Sequence, residues 1–367
     1  MNYPKYIVSF DSFKGCLSSA DANRIAADSL HQQCPEADIV QVTASDGGEG
    51  WVEAFAQTWE CERMAVSVHD PLMRRVTATY LKKGDTAVIE IAQSSGLTLL
   101  HPDELNPLRA TSYGVGEQIV DALHHDCHRF LVGLGGSATS DAGIGMIRAL
   151  VDYLAPCNPS SNDTGLRCDA HFDDITALRD CHFVIGTDVT NILCGPQGAA
   201  AVFAPQKGAN VDMVQQLDAR AAKFARVSAI HFGKDSSMLP GSGAAGGLGY
   251  AFMQYLGATC QSGARLLLDT VGFPELLQQT TCVITGEGSS DAQTLMGKYP
   301  AVVLDYARAQ QVPVHLLSGR ISQCEQLLQS GFSSVESINP PGTPLEEALR
   351  PEIARRHLHD AAGRIQF

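Results

Sequence analysis

Short apolar runs alternate along this chain with longer segments in which apolar side chains recur every three or four positions. The short runs predict strands at residues 6–10, 39–43, 76–81, 87–91, 130–134, 183–185, 282–285 and 312–317. Residues 18–33 have the helical pattern, which begins with Ser18 and Asp21 in the arrangement of a capping box. Strands that alternate with helices are typical of α/β proteins with largely parallel sheets.

The order of these patterns predicts two domains, which is also what a length of 367 residues favours. The first strand and the late strand 312–317 are both continuous apolar runs, as buried parallel strands are, so we expect both in one sheet. Around residues 66–91 the pattern alternates with period two, which predicts antiparallel strands of a different sheet. The expected division is one domain of residues 1–65 and 280–367, with 66–279 inserted as the second.

Composition narrows the classes of protein that fit. Hydrophobic residues make up 44% and charged residues 18%, and the net charge of −14 is spread along the chain. Nucleic acid needs a basic surface and is therefore not expected as a partner. The 11 cysteines contain no C-x-x-C pair, and no apolar run approaches the 18 residues of a membrane span. We expect a cytoplasmic protein with reduced thiols and no membrane partner; a homo-oligomer stays open.

Loops that combine glycine with a carboxylate follow five of the predicted strands. In α/β sheets, ligands bind outside the carboxyl ends of the strands, so five such loops would form one polar, acidic site. The loops are DSFKG (11–15), ASDGGEG (44–50), GGSATSDAG (135–143), GTDVTN (186–191) and GEGSSDAQTLMGK (286–298).

This inventory suits phosphoryl transfer. Glycine amides bind phosphate oxygens, carboxylates hold Mg²⁺, and one carboxylate orients the attacking hydroxyl. The glycine loop at 135–143 lacks the lysine that completes a Walker-type loop. Lys14, Lys207 and Lys298 are the candidates for supplying the missing positive charge.

Each feature also has an ordinary structural explanation. A carboxylate before a helix is more often a helix cap than a ligand, which applies to Asp11, Asp141 and Asp291. Lys298 taken alone resembles a solvated surface lysine. The recurrence of five similar loops nevertheless favours a shared site.

Two other sites are weakly indicated. Gly133, Gly135 and Ala138 fit a dinucleotide-binding G-x-G-x-x-G/A motif with Asp152 as the ribose-binding acid, which would make the chain an oxidoreductase. The segment before Asp152 continues a helical pattern, however, so no strand presents that acid. The segment HHDCH (124–128) has metal-binding side chains but no further ligands to complete a site, and a solvated helix end fits it better.

The motifs together resemble those of bacterial glycerate kinases, the glycerate 2-kinase family, over nearly the whole chain. This resemblance implies Mg²⁺-dependent phosphorylation of D-glycerate by ATP, mainly to 2-phosphoglycerate; the 3-phosphate or a related hydroxy acid is the alternative. It also implies two α/β domains, one with a flavodoxin/Rossmann-like parallel sheet and one with a distinct mixed sheet, and an active site in the cleft between them. The motifs are DSFKG, SDGGEG, NPLRATSYGVGE (106–117), GLGGSATSDAG, DVTNILCGPQGAAAVFAPQKGA (188–209), PGSGAAGGLGY (240–250) and TGEGSSDAQTLMGKYP (285–300).

We assign hypothetical roles to the residues of these motifs. Asp188, Glu287 and Asp291 are the candidates for binding Mg²⁺ and for the catalytic base, with Asp188 favoured for orienting the hydroxyl. Lys14 and Asp291 are further catalytic candidates. Substrate binding is assigned to Asp11, Ser12, Lys14, Gly15, Asp46, Gly47 and Gly48. Nucleotide or phosphate binding is assigned to Gly135, Gly136, Ser137, Ala138, Thr139, Lys207, Gly286, Gly288 and Lys298.

The chain departs from the family pattern at Ser289, where an arginine is usual. A missing contact to phosphate or to the substrate carboxylate could alter the acceptor preference. Three classes of function therefore stand beside one another: a small-molecule kinase, a dinucleotide oxidoreductase and a binding protein that has lost its chemistry. The small-molecule kinase accounts for the most residues, since every candidate carboxylate and lysine is present and only Ser289 departs from the family pattern.

Overall fold

The structure is a computed structural model that describes residues 3–13, 15–155 and 171–365. It divides into two compact units. The first contains the chain up to residue 45, residues 53–59 and the chain from 264 onward; the second contains 46–52 and 60–263. Lys14 lies outside the described residues.

Strands and helices alternate through most of the chain. The strands are β1 Lys5–Phe10, β2 Asp38–Gln41, β3 Glu62–His69, β4 Arg75–Lys83, β5 Thr86–Glu90, β6 Arg129–Gly133, β7 His182–Gly186, β8 Thr259–Gln261, β9 Cys282–Gly286, β10 Ser289–Ser290, β11 Val314–Ser318, β12 Arg320–Ile321 and β13 Ser334–Ser337. The α-helices are α1 Ser19–Gln33, α2 Trp51–Thr58, α3 Ala92–Ser95, α4 Tyr113–His124, α5 Ile144–Leu154, α6 Ala199–Phe203, α7 Val211–Phe232, α8 Ala244–Tyr255, α9 Gly263–Thr270, α10 Phe273–Leu276, α11 Tyr299–Ala309, α12 Cys324–Gln329, α13 Leu345–Ala348 and α14 Pro351–Ala362. Short 3₁₀ turns lie at Leu97–Leu99, Pro102–Glu104, Phe172–Asp174, Thr176–Leu178, Pro205–Lys207 and Thr294–Met296.

The first unit is built on a parallel sheet of five strands in the order β13-β11-β9-β1-β2. Numbered along the chain within this sheet, the order is 2-1-3-4-5, which is the flavodoxin-like arrangement. The direction of winding reverses between β1 and β9, and sheets of this kind bind ligands outside the carboxyl ends of the strands at that point. The loops 11–15 and 286–298 both begin there, and the Asp11 amide donates to the Gly286 carbonyl at 2.9 Å.

Both faces of this sheet are buried, as the continuous apolar strands predict. Tyr6, Val8 and Phe10 belong to the apolar cluster that includes residues of α1 and α14. Ile7 belongs to the cluster on the other face, with Val303 of α11. Because side chains alternate across a strand, one apolar run of β1 contributes to both cores.

The second unit contains a mixed sheet of six strands in the order β3-β4-β5-β6-β7-β8. Strands β3, β4 and β5 are antiparallel, whereas β5 to β8 are parallel. Its core is centred on Phe130 of β6, which stacks on Phe183 of β7 with ring centroids 4.5 Å apart and 11° between the ring planes. Ile119 of α4 and Leu150 of α5 pack into the same cluster.

The fold class predicted from the sequence is confirmed, with one parallel sheet and one mixed sheet. All eight predicted strands occur with ends within about two residues, and Ser18 caps α1 by accepting from the Asp21 amide at 3.1 Å. Strands β3, β8, β10, β12 and β13 were not predicted as separate strands, although β3 overlaps the start of the period-two segment 66–91. Each of the five has at most one fully buried position. The predicted domain boundaries stay a prediction; the compact units place residues 60–65 with the second unit and 264–279 with the first. No helix in the described ranges is both long and apolar enough to cross a membrane.

Replacing Phe130 by alanine should destabilise the protein. Phe130 is fully buried, and a large-to-small change at such a site costs about 3–5 kcal/mol. Urea denaturation followed by circular dichroism measures the change in the free energy of unfolding. The control Val227→Ala, at an exposed position of α7, should change it by less than about 0.5 kcal/mol. A loss below about 1 kcal/mol for Phe130→Ala would contradict the packing described above.

Candidate active site

Three of the predicted glycine loops contact one another directly through their backbones in the second unit. The Gly135 amide donates to the Gly47 carbonyl at 2.8 Å. A Cβ at Gly135 would lie 2.1 Å from the Gly48 Cα, and one at Gly47 would lie 2.3 Å from the Gly186 oxygen. Only glycine fits these contacts, so the loops that follow β6 and β7 and the segment 44–50 form one compact group.

The loop after β6 presents backbone amides that are not used within the protein. Among the described residues, the amides of Gly136, Ser137, Ser140 and Asp141 have no hydrogen-bond acceptor. The Ser137 hydroxyl instead accepts from the Thr139 amide at 3.0 Å. Gly136 has a φ of +70°, and successive amides in such a turn form a concave site for an anion. The glycine loop is therefore a candidate phosphate site.

Lys207 lies against this loop with its side chain 3% exposed. Its Nζ donates to the Thr139 carbonyl at 2.6 Å. Burial lowers the pKa of Lys207 to about 7, against the opposing effect of the Asp141 carboxylate. Within the described residues, the amine therefore holds the loop backbone and is not directed into open solvent.

Asp141 is a structural carboxylate at the start of α5. Its Oδ2 accepts from the Ser112 amide and hydroxyl, both at 2.9 Å, and from the Gly145 amide at 3.1 Å. Its Oδ1 accepts from the Gly143 amide at 3.1 Å. These bonds satisfy free amides at the helix start, so the capping explanation holds for Asp141.

Asp188 follows the carboxyl end of β7 and is held by the segment that leads into α9. Its Oδ1 accepts from the Gly263 amide at 3.2 Å, and Ser262 bonds to its side chain. The side chain is open to solvent, yet enough protein surrounds it that desolvation raises its pKa. The nearby Asp46 carboxylate raises the pKa further, while the two hydrogen bonds oppose both effects.

Glu90 was not singled out from the sequence, although it holds one of the predicted loops. It is the last residue of β5, paired with Gly133, and only 3% exposed. Its two oxygens accept from the amides of Gly50 at 3.3 Å and Val52 at 3.1 Å. Burial raises the pKa of Glu90, and these amides counteract the shift. A glutamate ending an apolar strand was the available signal.

In the first unit, the predicted residues Glu287 and Lys298 form an ion pair, with 3.5 Å between Oε2 and Nζ. The other oxygen of Glu287 accepts from the hydroxyls of Ser290 at 3.0 Å and Thr294 at 2.5 Å. Both oxygens of Glu287 are therefore occupied by neighbouring side chains. Lys298 keeps 40% of its side chain exposed and stands directly before α11.

Asp11 and Asp291 fold their own loops. Asp11 Oδ1 accepts from the Ser12 amide at 2.6 Å, and Asp291 Oδ1 accepts from the Gln293 amide at 2.8 Å. Gly15 has a φ of +77° with open space where a side chain would be. Lys14, which precedes Gly15 in the sequence, is outside the described residues.

Gly286 and Gly288 lie where β9 passes close to β11 and β12. A Cβ at Gly286 would lie 1.6 Å from the Leu317 oxygen, and the Arg320 amide donates to the Gly288 carbonyl at 3.1 Å. Ser289, at the position where an arginine was expected, pairs in register with Arg320.

The structure thus groups the predicted residues within each unit. The second unit brings together Asp46, Gly47, Gly48, Gly135, Gly136, Ser137, Ala138, Thr139, Asp188 and Lys207; the first holds Asp11, Ser12, Gly15, Gly286, Glu287, Gly288, Asp291 and Lys298. Asp152 lies on α5, where the Tyr113 hydroxyl donates to it at 3.0 Å, and not beside a nucleotide-binding strand end. Across residues 3–13, 15–155 and 171–365, no three His, Cys, Asp or Glu side chains form a metal-binding group.

Comparison with known proteins identifies the family. The family model described as the glycerate kinase family matches residues 6–366. The chain belongs to the glycerate kinase family. It is 37% identical to the "Glycerate kinase" of Bacillus subtilis strain 168, over 99% of this chain and 98% of the relative. It is also 37% identical to the "Glycerate 2-kinase" of Escherichia coli K12, over 94% and 93% of the two chains.

A solved structure of the family is similar throughout. The crystal structure of the "putative glycerate kinase 2" from Salmonella typhimurium LT2 has a TM-score of 0.79 and 33% identity, over 99% of this chain and 97% of that one. The family resemblance read from the motifs is confirmed, and the chain is a kinase of the glycerate kinase family.

The buried amine of Lys207 should make the stability of this glycerate kinase homologue depend on pH. Below about pH 7 both the folded and the unfolded chain carry the proton, whereas between 7 and about 10 only the unfolded chain does. The free energy of unfolding should therefore rise with pH in this range, by up to a few kcal/mol. Urea denaturation at pH 7 and pH 9 measures it.

Lys207→Met should lack this rise, because the variant has no amine to titrate. Lys223→Met, at an exposed position of α7, should follow the wild type. If the free energy of unfolding of Lys207→Met and of the wild type changes by the same amount between the two pH values, the inference that burial lowers the pKa of Lys207 is wrong.

Proposed function

We propose that the protein transfers the γ-phosphoryl group of ATP to the 2-hydroxyl of D-glycerate, which yields 2-phosphoglycerate. Membership of the glycerate kinase family supports the reaction class, and the relative named glycerate 2-kinase supports the position of transfer. The observation that carries the proposal is the row of unpaired amides at Gly136, Ser137, Ser140 and Asp141. Phosphate oxygens are the acceptors that suit such amides.

Nucleotide phosphates are proposed to bind at the glycine loop. Its backbone N–H groups would donate to phosphate oxygens without adding side-chain bulk, since Gly135 and Gly136 leave the backbone open. Lys298 of the first unit is partly exposed and stays a candidate for supplying positive charge on its sequence motif alone. Preorganised donors of this kind are worth more than the same groups in water, because they need no reorganisation during the reaction.

Glycerate is proposed to bind through the loops that carry carboxylates, glycines and hydroxyls. In the second unit, Asp46, Gly47 and Gly48 are the candidates for this binding. Asp11, Ser12, Lys14 and Gly15 belong to the first unit and stay candidates on the sequence motif alone. These assignments follow from the loop chemistry and from the family resemblance.

Asp188 is proposed to orient the attacking hydroxyl and to accept its proton. The hydroxyl oxygen of glycerate bonds to the γ-phosphorus while the bond from that phosphorus to the ADP oxygen breaks. The proton of the hydroxyl passes to the Asp188 carboxylate. A raised pKa makes this carboxylate a better proton acceptor than an ordinary aspartate.

The residues of the second unit fit Mg²⁺. This ion usually binds to one or two carboxylates and completes its coordination with water and phosphate oxygens, so a cluster of three protein ligands is not needed. Asp188 and Asp46 are close enough for one to raise the pKa of the other. The oxygens of Glu287 are already occupied, so we favour Asp46 over Glu287 and Asp291 for holding the ion, and Asp188 keeps the role of proton acceptor. When bound, Mg²⁺ would neutralise charge on the transferred phosphoryl group.

Asp188→Asn should lower kcat by about 10²–10⁴-fold, the range for loss of a general base. Asparagine retains an oxygen for the Gly263 amide, so the circular dichroism spectrum should not change. The matched control is Asp180→Asn at the amino end of β7, which should keep wild-type kinetics. Near-normal turnover of Asp188→Asn would remove Asp188 from the catalytic role.

The reaction itself is tested by incubating the protein with ATP, Mg²⁺ and D-glycerate and coupling the product to enolase without phosphoglycerate mutase. An enolase signal establishes 2-phosphoglycerate, because enolase does not accept the 3-phosphate. Formation of ADP without that signal moves the transfer to the 3-hydroxyl. If neither appears, glycerate is not the acceptor. Omitting Mg²⁺ should abolish the formation of ADP, which is measured directly because enolase itself needs Mg²⁺.

A further inference from the structure

Lys207 contacts the glycine loop at one atom, the carbonyl oxygen of Thr139. In a trans peptide, the carbonyl and the following amide point in opposite directions. The Ser140 amide, one of the unpaired amides of the loop, therefore points away from Lys207. An ammonium group that holds the Thr139 oxygen also fixes the direction of the Ser140 N–H.

The Thr139 carbonyl is confined on another side by α8. A Cβ at Gly246 would lie 2.0 Å from this oxygen, so backbone of the glycine-rich segment 240–250 packs directly against it. Ala245, Gly246 and Gly247 all have positive φ, which places this turn in an unusual left-handed path. The carbonyl thus lies between a buried amine and a closely packed backbone turn.

We propose that Lys207 is a positioning residue for phosphate binding: by holding the Thr139 carbonyl, its ammonium group aims the Ser140 amide at the phosphate of the nucleotide. This inference rests on the proposed binding of ATP at the glycine loop. It differs from a direct contact between Lys207 and phosphate, because the amine is buried on the carbonyl side of the peptide.

The charge of Lys207 is controlled by few groups. Asp141 is the charged residue that acts on it, and four hydrogen bonds from Ser112, Gly143 and Gly145 keep that carboxylate fixed. Because burial brings the pKa of Lys207 to about 7, the ammonium form is lost within the neutral range.

The test is the pH dependence of kcat/KM for ATP, measured from pH 6 to 9 for the wild type and three variants. In the wild type, loss of one proton should lower kcat/KM by about tenfold per pH unit above neutrality, towards the value of Lys207→Met. Lys207→Met should be flat over this range, with KM for ATP raised about 10–100-fold and kcat little changed, as expected for loss of one charge-assisted hydrogen bond.

Two further variants separate a positioning role from a general structural one. Lys207→Arg keeps a permanent charge, so it should bind ATP near the wild-type level at pH 6.5 and lack the alkaline decrease. Lys223→Met, which removes an exposed lysine of the same unit, should reproduce the wild-type profile. If the wild type shows no decrease, or Lys207→Met shows the same decrease, the proposal is wrong.

Calorimetric titration with ATP and Mg²⁺ at pH 6.5 and 8.5 makes the same comparison without turnover. The wild type should bind more weakly at the higher pH, and Lys207→Met should bind equally weakly at both. A protein that binds ATP in this pH-dependent way but does not phosphorylate glycerate would disprove the proposed function and leave the role of Lys207 intact. ATP binding that is independent of pH in the wild type would disprove the role of Lys207.

Discussion

The glycine loops of the second unit pack backbone against backbone, and this contact leaves no room for a side chain at Gly47 or Gly135. The rest of the site depends on it. The two loops support each other, and the amides of Gly136 and Ser137 have no acceptor within residues 3–13, 15–155 and 171–365. A larger residue at either glycine would separate the loops and change the direction of those amides.

Several acidic residues near the loops hold neighbouring groups in place through hydrogen bonds and an ion pair. Glu90 binds the amides that begin α2, Asp141 binds those that begin α5, and Glu287 binds two hydroxyls and Lys298. In a chain with a net charge of −14, these carboxylates therefore have partners within the protein near the proposed phosphate site. Carboxylates that are saturated with hydrogen bonds hold the loops in place, while Asp188 stays open to solvent.

The strands and the grouping of the loops were accessible from the sequence, for a physical reason. Apolar runs mark buried strands, and glycine with a carboxylate at a strand end marks the loop that follows the strand. The role of Glu90 was missed because nothing local in TAVIE shows that the amides of Gly50 and Val52 lie beside its last residue. Strand β3 was missed because its exposed edge gives only a weak apolar pattern.

Lys207 shows a second limit of sequence reasoning. The sequence offered Lys207 only as a candidate positive charge, and nothing in APQKGAN shows that its side chain is buried against the glycine loop, since lysine is rarely buried. The domain boundaries are harder still, because the chain passes into the second unit for residues 46–52 alone and then returns. The composition of residues 46–52 does not differ from that of an ordinary loop, so the sequence gives no sign of this crossing.

A lysine with a pKa near 7 is also an unusual chemical group, because much of it is a free amine at neutral pH. Free amines are the form that reacts with acylating reagents, whereas ordinary lysines are mostly protonated and react slowly. In the folded protein the reagent cannot reach Lys207, since its side chain is buried under the glycine loop. Exposure to the reagent would also expose the amine to water and return its pKa towards that of an ordinary lysine, so Lys207 should be acylated no faster than an ordinary lysine in either state. Resistance of this one amine to acylation would therefore report that its burial against the glycine loop is intact.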